Sequence, residues 1–252
     1  GGLPCPPFSV AGKQLGEKDE RNLFPEAIRL VDEIRPRTIM IENVRGLLGA
    51  SFSGYRQWIG QQLKKLGYAT HWKLLNASDF GVPQLRPRVV LVGVLEALAS
   101  RFFWPGPRPK APPHVGDVLY DLIASRGWTG ADGWRQGANR IAPTIVGGSL
   151  KHGGPDLGPT RAKRSWAELG VDGHGVWDQP PGPDFDVCGK PRLTVRMVAR
   201  LQGFPDEWEF SGRKTRAYRQ VGNAFPPPVA QAVGESLLEC LAIDRIADTA
   251  AR

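Results

Sequence analysis

Thr38-Ile-Met-Ile-Glu42-Asn43-Val44 is the stretch on which the fold turns. Its Ile-rich apolar run is short and continuous, the pattern of a strand buried on both faces, and predicts a place in a parallel sheet. Glu42 falls at the carboxyl end of that strand, where open α/β sheets bind their ligands. A lone strand-end carboxylate is more often solvated, so Glu42 needs company before it marks a site.

Working outward, Leu23, Ala27, Leu30, Val31 and Ile34 carry helical spacing on one side, and Pro36 ends it. On the other side Gly46 and Gly49 loosen the chain. A second helix over 55–66 follows, with Trp58, Ile59, Leu63 and Leu66 inward, Lys64 and Lys65 near its end and Gly67 as cap. Strands over 69–75 and 89–94 then flank a connector that carries Gln84, Arg86 and Arg88. Side chains at alternate positions of an extended segment share a face, so Arg86 and Arg88 converge on one anionic or carbonyl-bearing ligand. A solvated pair of surface arginines is the alternative.

The chain opens Gly1-Gly-Leu-Pro-Cys-Pro-Pro-Phe-Ser-Val-Ala-Gly12. Pro4, Pro6 and Pro7 make this a stiff loop rather than a helix or central strand, and it holds the Cys5 thiol out for chemistry. A small buried residue near a turn is the competing reading of Cys5. Residues 12–20 are polar and read as a mobile segment of the kind that clamps substrates. The three cysteines, Cys5, Cys188 and Cys240, are too scattered for a disulfide framework, and the four histidines show no metal-ligand spacing.

Farther on, the prolines of 105–113 mark a boundary. Residues 114–190 are rich in Gly, Pro, Trp and basic side chains, including the Gly-rich run 147–154 and Thr160-Arg-Ala-Lys-Arg164, with little periodicity. Trp128, Trp134, Trp166 and Trp177 argue that this region is ordered. Helical spacing resumes over 194–202 and stops at Gly203. Residues 218–228 read as a turn, its Gly222-Asn223 offering backbone donors to an anion, and it feeds a helix over 227–241 with Val229, Val233, Leu237 and Leu241 on one face. A net charge of +8 over 252 residues favours a polyanionic partner. No apolar run approaches the ~20 residues of a membrane span, and no leader is visible, so the expected compartment is the cytoplasm.

Pro4-Cys5 with Phe8-Ser9, Glu42-Asn43-Val44, Gln84-Leu85-Arg86-Pro87-Arg88 and Gln220-Val221-Gly222-Asn223, in that order, resemble the motifs of the cytosine-5 DNA methyltransferase family of bacterial type. The resemblance runs to about residue 234 with a divergent middle. It implies an α/β, truncated Rossmann-like S-adenosylmethionine-dependent methyltransferase fold with a small loop-rich target recognition domain. The expected partition is a partial catalytic domain over 1–108, the recognition domain over 109–190, and C-terminal helices over 191–252 returning to the catalytic domain.

The resemblance also assigns roles. Cys5 is the nucleophile that adds to cytosine carbon 6, and Glu42, its pKa raised by burial, relieves charge at ring nitrogen 3. Arg88 meets the carbonyl oxygen, Arg86 organises the cysteine loop and a nearby phosphate, and Gln84 supports both at the DNA. Ser9 touches the DNA backbone, while Pro4, Asn223 and Ala224 contact S-adenosylmethionine. The partner is double-stranded DNA whose target base is flipped out, in a restriction-modification setting.

Two departures stand out: Pro6 replaces the family's usual Gln, and the aromatic-Gly-rich cofactor segment that opens the family is unmatched. The unmatched segment and the start on Gly-Gly predict a piece of a longer enzyme or one part of a split enzyme whose separate subunit supplies the rest of the cofactor site. Without the preceding strand, 38–42 would form an open edge. A non-catalytic DNA-binding remnant is the reading from another class, and methylation of structured RNA a third.

Overall fold

The computed structural model describes residues 1–9, 14–147 and 155–250; Gly12 of the opening loop and most of the Gly-rich run 147–154 lie outside them. The chain divides into two units. The first comprises Gly1–Leu75, Pro87–Gly106 and Ala230–Arg252; the second comprises Asn76–Arg86 and Pro107–Val229. Among the described residues no helix is long and apolar enough to cross a membrane.

The first unit holds α1 (Phe24–Ile34), β1 (Thr38–Val44), α2 (Ser53–Lys65), β2 (Tyr68–Asn76) and β3 (Pro87–Leu95), in a sheet ordered β1-β3-β2. These elements follow the sequence pattern to within two residues. Arg35 (φ 50) closes α1 in the left-handed region and Gly67 (φ 89) follows α2. Both faces of β3, the central strand, are covered, as its apolar run requires: Val89 to Val92 and Val94 are at most 1% exposed.

Strand direction differs from expectation. β1 pairs antiparallel with β3, Glu42 opposite Val90 and Val44 opposite Arg88. A continuous apolar run reports burial on both faces and is silent on direction. The parallel neighbour of β1 is the chain's own start. Gly2 bridges to Glu42, the Glu42 amide donates to the Gly1 carbonyl at 2.9 Å, and the Leu3 amide donates to the Glu42 carbonyl at 3.4 Å.

The second unit is built of short helices joined by long loops, and three of its helices fall within the loop-rich region expected over 109–190. It contains α3 (Val115–Ala124), α4 (Ala131–Gly137), α5 (Thr160–Glu168), α6 (Val195–Leu201) and α7 (Lys214–Asn223). Trp128, Trp134 and Trp166 are buried in a core with Leu119 and Ile123 of α3, Met197 and Leu201 of α6, and Tyr218 and Val221 of α7. The tryptophans do argue for order, but as centres of a helical core. Residues 218–223, expected as a turn, continue α7 because Ala217, Tyr218 and Val221 present one buried face. Only Ala224 to Pro226 turn the chain before α8 (Pro227–Ala250), and the division between the units falls inside α8.

Candidate active site

Cys5 sits on a loop fixed from several directions. Its carbonyl accepts from the amides of Phe8 at 3.0 Å and Ser9 at 2.9 Å, closing a tight turn over Pro6 and Pro7. Phe8 is fully buried against Phe52 (ring centroids 5.3 Å apart), Phe24 and Tyr55 (both 5.8 Å), so an aromatic anchor three residues on holds the thiol. Gly46, read from sequence as loosening the chain, does the opposite. A Cβ there would stand 2.0 Å from the Phe8 carbonyl oxygen, so only glycine lets the loop seat against this turn. The thiol itself is half-buried and unoxidised.

Glu42 and Arg88 form the charged pair beside it. Glu42 faces Val90 across the ladder, so Arg88, two residues before Val90, is its diagonal neighbour on the same sheet face, within reach of long side chains. Arg88 Nε meets Glu42 Oε1 at 2.8 Å, with the two side chains only 12% and 11% exposed. Burial pushes the Arg88 guanidinium down, and the Glu42 carboxylate and the Cys5 sulfur push back. Arg88 thus feels both Glu42 and Cys5. Asn43 steadies the strand end: its Nδ2 reaches the Leu3 carbonyl at 3.4 Å and its Oδ1 accepts from the Val44 amide at 2.9 Å.

Arg86 and Gln84 are sealed within the second unit. Arg86 does not converge with Arg88 on one ligand. It precedes β3, belongs to the second unit, is 0% exposed, and donates to the carbonyls of Ile145 (2.5 Å), Gly222 (2.8 Å) and Ala224 (2.9 Å). A role at a phosphate is incompatible with that burial. Gln84, expected at the DNA, is also 0% exposed. It donates to Gln202 Oε1 at 2.7 Å and to the Leu201 carbonyl at 3.3 Å, and accepts from the Ile145 amide at 2.8 Å. Gln202, which sequence reasoning passed over, completes this buried lattice by donating to the Val221 carbonyl at 2.8 Å; its one signal was an amide inside an apolar helical run.

Ser9 is half-buried in the cysteine turn. Pro4 is half-buried in the first unit. Asn223 is exposed at the end of α7, its carboxamide where a Cβ on Gly147 would stand 2.2 Å from Oδ1. The Ala224 amide donates back to Gln220 and Val221, so this turn presents no open backbone donor there.

These features match a known family. The C-5 cytosine-specific DNA methylase profile matches residues 1–239. The chain is 59% identical over 242 residues to the type II methyltransferase M.NaeI of Lentzea aerocolonigenes, covering 96% of this chain and 58% of that protein. It is 49% identical to the type II methyltransferase M.NgoMIV of Neisseria gonorrhoeae over 96% of this chain and 77% of that one. In structure it is similar to a prophage-encoded DNA modification methyltransferase from E. coli, with TM-score 0.60, 25% identity and coverage of 96% and 78%. The fold is therefore that of an α/β methyltransferase. The chain belongs to the C-5 cytosine-specific DNA methylase family.

Proposed function

We propose that this chain carries the base-capturing machinery of a DNA (cytosine-5-)-methyltransferase acting on a specific duplex sequence in a restriction-modification system, with S-adenosylmethionine as methyl donor. The observation that carries this reading is the buried 2.8 Å Arg88–Glu42 pair, with the Arg88 guanidinium in the field of a loop-held cysteine.

Carbon 5 of cytosine is a weak nucleophile and must be activated first. The Cys5 thiolate adds to carbon 6, and the ring π electrons shift toward nitrogen 3 and the carbonyl oxygen. Glu42 in its protonated form hydrogen-bonds or donates to nitrogen 3, and Arg88 donates to the carbonyl oxygen, so the charge developed on addition falls between two groups already in place. When the carbon 5 proton is later lost to a base, the thiolate leaves and aromaticity returns.

S-adenosylmethionine supplies an electrophilic methyl group. Pro4, Asn223 and Ala224 are the residues proposed to contact it, as the motifs that carry them imply. Residues 109–190 are assigned to target recognition, with Arg161 and Arg164 of α5 available to phosphates.

The test is covalent trapping. The protein expressed from its gene, given S-adenosylmethionine and duplex DNA bearing 5-fluorocytosine at candidate sites, is expected to form a denaturant-resistant adduct that Cys5→Ser abolishes. Methyl transfer surviving in Cys5→Ser would overturn the reading. Salt-sensitive binding with no adduct at any site would favour a binding remnant instead.

A further inference from the structure

The Asn223 carboxamide, exposed at the end of α7, is seated on Gly147, the first residue of the Gly-rich run and one that lies outside all four motifs. A Cβ on Gly147 would stand 2.2 Å from Asn223 Oδ1, 2.8 Å from its Cγ and 3.2 Å from its Nδ2. One residue earlier the backbones themselves meet. A Cβ on Gly222 would stand 2.5 Å from the Gly147 α-carbon and 2.7 Å from its nitrogen, so each side of the contact requires glycine.

Buried side chains set the separation of the two segments. Arg86 bridges them, donating from Nη1 to the Ile145 carbonyl at 2.5 Å and from Nη2 to the carbonyls of Gly222 at 2.8 Å and Ala224 at 2.9 Å. Each segment is held a second time. Gln84 Oε1 accepts from the Ile145 amide at 2.8 Å, Gln202 Nε2 donates to the Val221 carbonyl at 2.8 Å, and the two glutamines are joined at 2.7 Å. A satisfied buried network rigidifies what it joins, so residues 145–147 and 221–224 form one fixed seat.

An exposed asparagine at a helix end ordinarily samples several rotamers and gives up that freedom when it binds, at a cost to affinity. A carboxamide already seated avoids most of that cost. Its oxygen side is turned to Gly147, which leaves Nδ2, the farther atom, as the donor for a ligand. We propose that Gly147 is a positioning residue for S-adenosylmethionine: having no side chain, it lets the Asn223 carboxamide take a preformed orientation toward the cofactor. Gly147 acts through Asn223 and not by touching the cofactor. The inference rests on the reading of Asn223 as a cofactor contact.

The experiment is a double-mutant cycle on the protein expressed from its gene, with Gly147→Ala, Asn223→Ala and the two combined. It reads S-adenosylmethionine binding by calorimetry, the KM for the cofactor and the urea midpoint. Losing one hydrogen bond to the cofactor corresponds to about 3- to 10-fold in affinity, and each single variant is expected to lose that much, in KM rather than in kcat. The three atoms nearest the added methyl group all belong to the Asn223 side chain, so Asn223→Ala removes the obstacle. In that background Gly147→Ala is expected to cost nothing further, in affinity or in urea midpoint. The proposal is overturned if Gly147→Ala weakens cofactor binding equally with and without the Asn223 carboxamide, or leaves it intact where Asn223→Ala weakens it. Wild-type protein that binds no S-adenosylmethionine, or Asn223→Ala binding it as wild type does, brings down the reading of Asn223 and this inference with it.

Discussion

Arg86 and Arg88 stand two residues apart in one motif, and the two units employ them in opposite ways. In the second unit Arg86 is sealed off and distributed over carbonyls from Ile145, Gly222 and Ala224, stitching three stretches of chain distant in sequence. In the first unit Arg88 is held by one carboxylate and the neighbouring Pro87 carbonyl at the margin of a cysteine loop, with part of its surface still reachable. A buried guanidinium surrounded by carbonyls has no open donor geometry to give a substrate. One paired with a single carboxylate can exchange that partner for a ligand. The difference separates scaffold from chemistry within a single run of sequence.

The largest effect should come from testing that separation directly. Arg86→Met leaves two buried carbonyls and one part-buried carbonyl without their donor, each buried unsatisfied group costing about 1–3 kcal/mol, so an unfolding loss of about 3 kcal/mol is expected in urea titration. Arg88→Met should lower the urea midpoint less, while slowing 5-fluorocytosine trapping about 100-fold or more. Equal stability losses in the two variants, or trapping unaffected by Arg88→Met, would erase the distinction between the two arginines.

A smaller loss is expected from Gly46→Ala, which sharpens the comparison on the first unit's side. The new methyl group would stand 2.0 Å from the Phe8 carbonyl oxygen, so the cysteine turn must shift. The cost to folding should be about 1–3 kcal/mol, the range for overpacking. Because an ångström of misplacement is enough to cost about 100-fold in rate, trapping should fall disproportionately. A normal trapping rate with lowered stability would mean that the seat of the loop and the position of the thiol are independent.

How much of this was legible beforehand follows from what each signal physically reports. Thr38 to Val44 and the helices around it were readable because long apolar stripes leave little choice of burial, and Glu42 and Arg88 came together as the motif implied. Strand direction was not readable, since an Ile-rich run is equally buried in either sense. In the middle, Val115, Leu119 and Ile123 already repeat every four residues along α3, a stripe obscured by the surrounding Gly and Pro. The shorter α4 and α5 bury one tryptophan each, Trp134 and Trp166, too little for a periodicity to show. The sealing of Arg86 and Gln84 depends on partners 59 to 138 residues away in sequence, which no local pattern encodes.

The smallest expected effect concerns charge at the second unit's surface, where neither pattern above applies. Asp172 is partly buried, which raises its carboxyl, but hydrogen bonds from Arg192 Nε at 2.8 Å and from the His174 amide and ring outweigh that and bring it to about 2. An unfolded aspartate titrates near ~3.9, so the folded form prefers the charged state. Stability from this group is therefore complete above about pH 4 and is lost as the pH falls toward about 2. With the carboxylate 29% exposed, solvent screening keeps the contribution to about 1 kcal/mol. Asp172→Asn should accordingly melt below wild type at pH 6, with the gap closing between pH 4 and pH 2. A gap that persists to pH 2 would show that Asp172 acts through the shape of its turn, where it receives the His174 amide, and that charge in this unit stabilises only where it is sealed, as at Arg86.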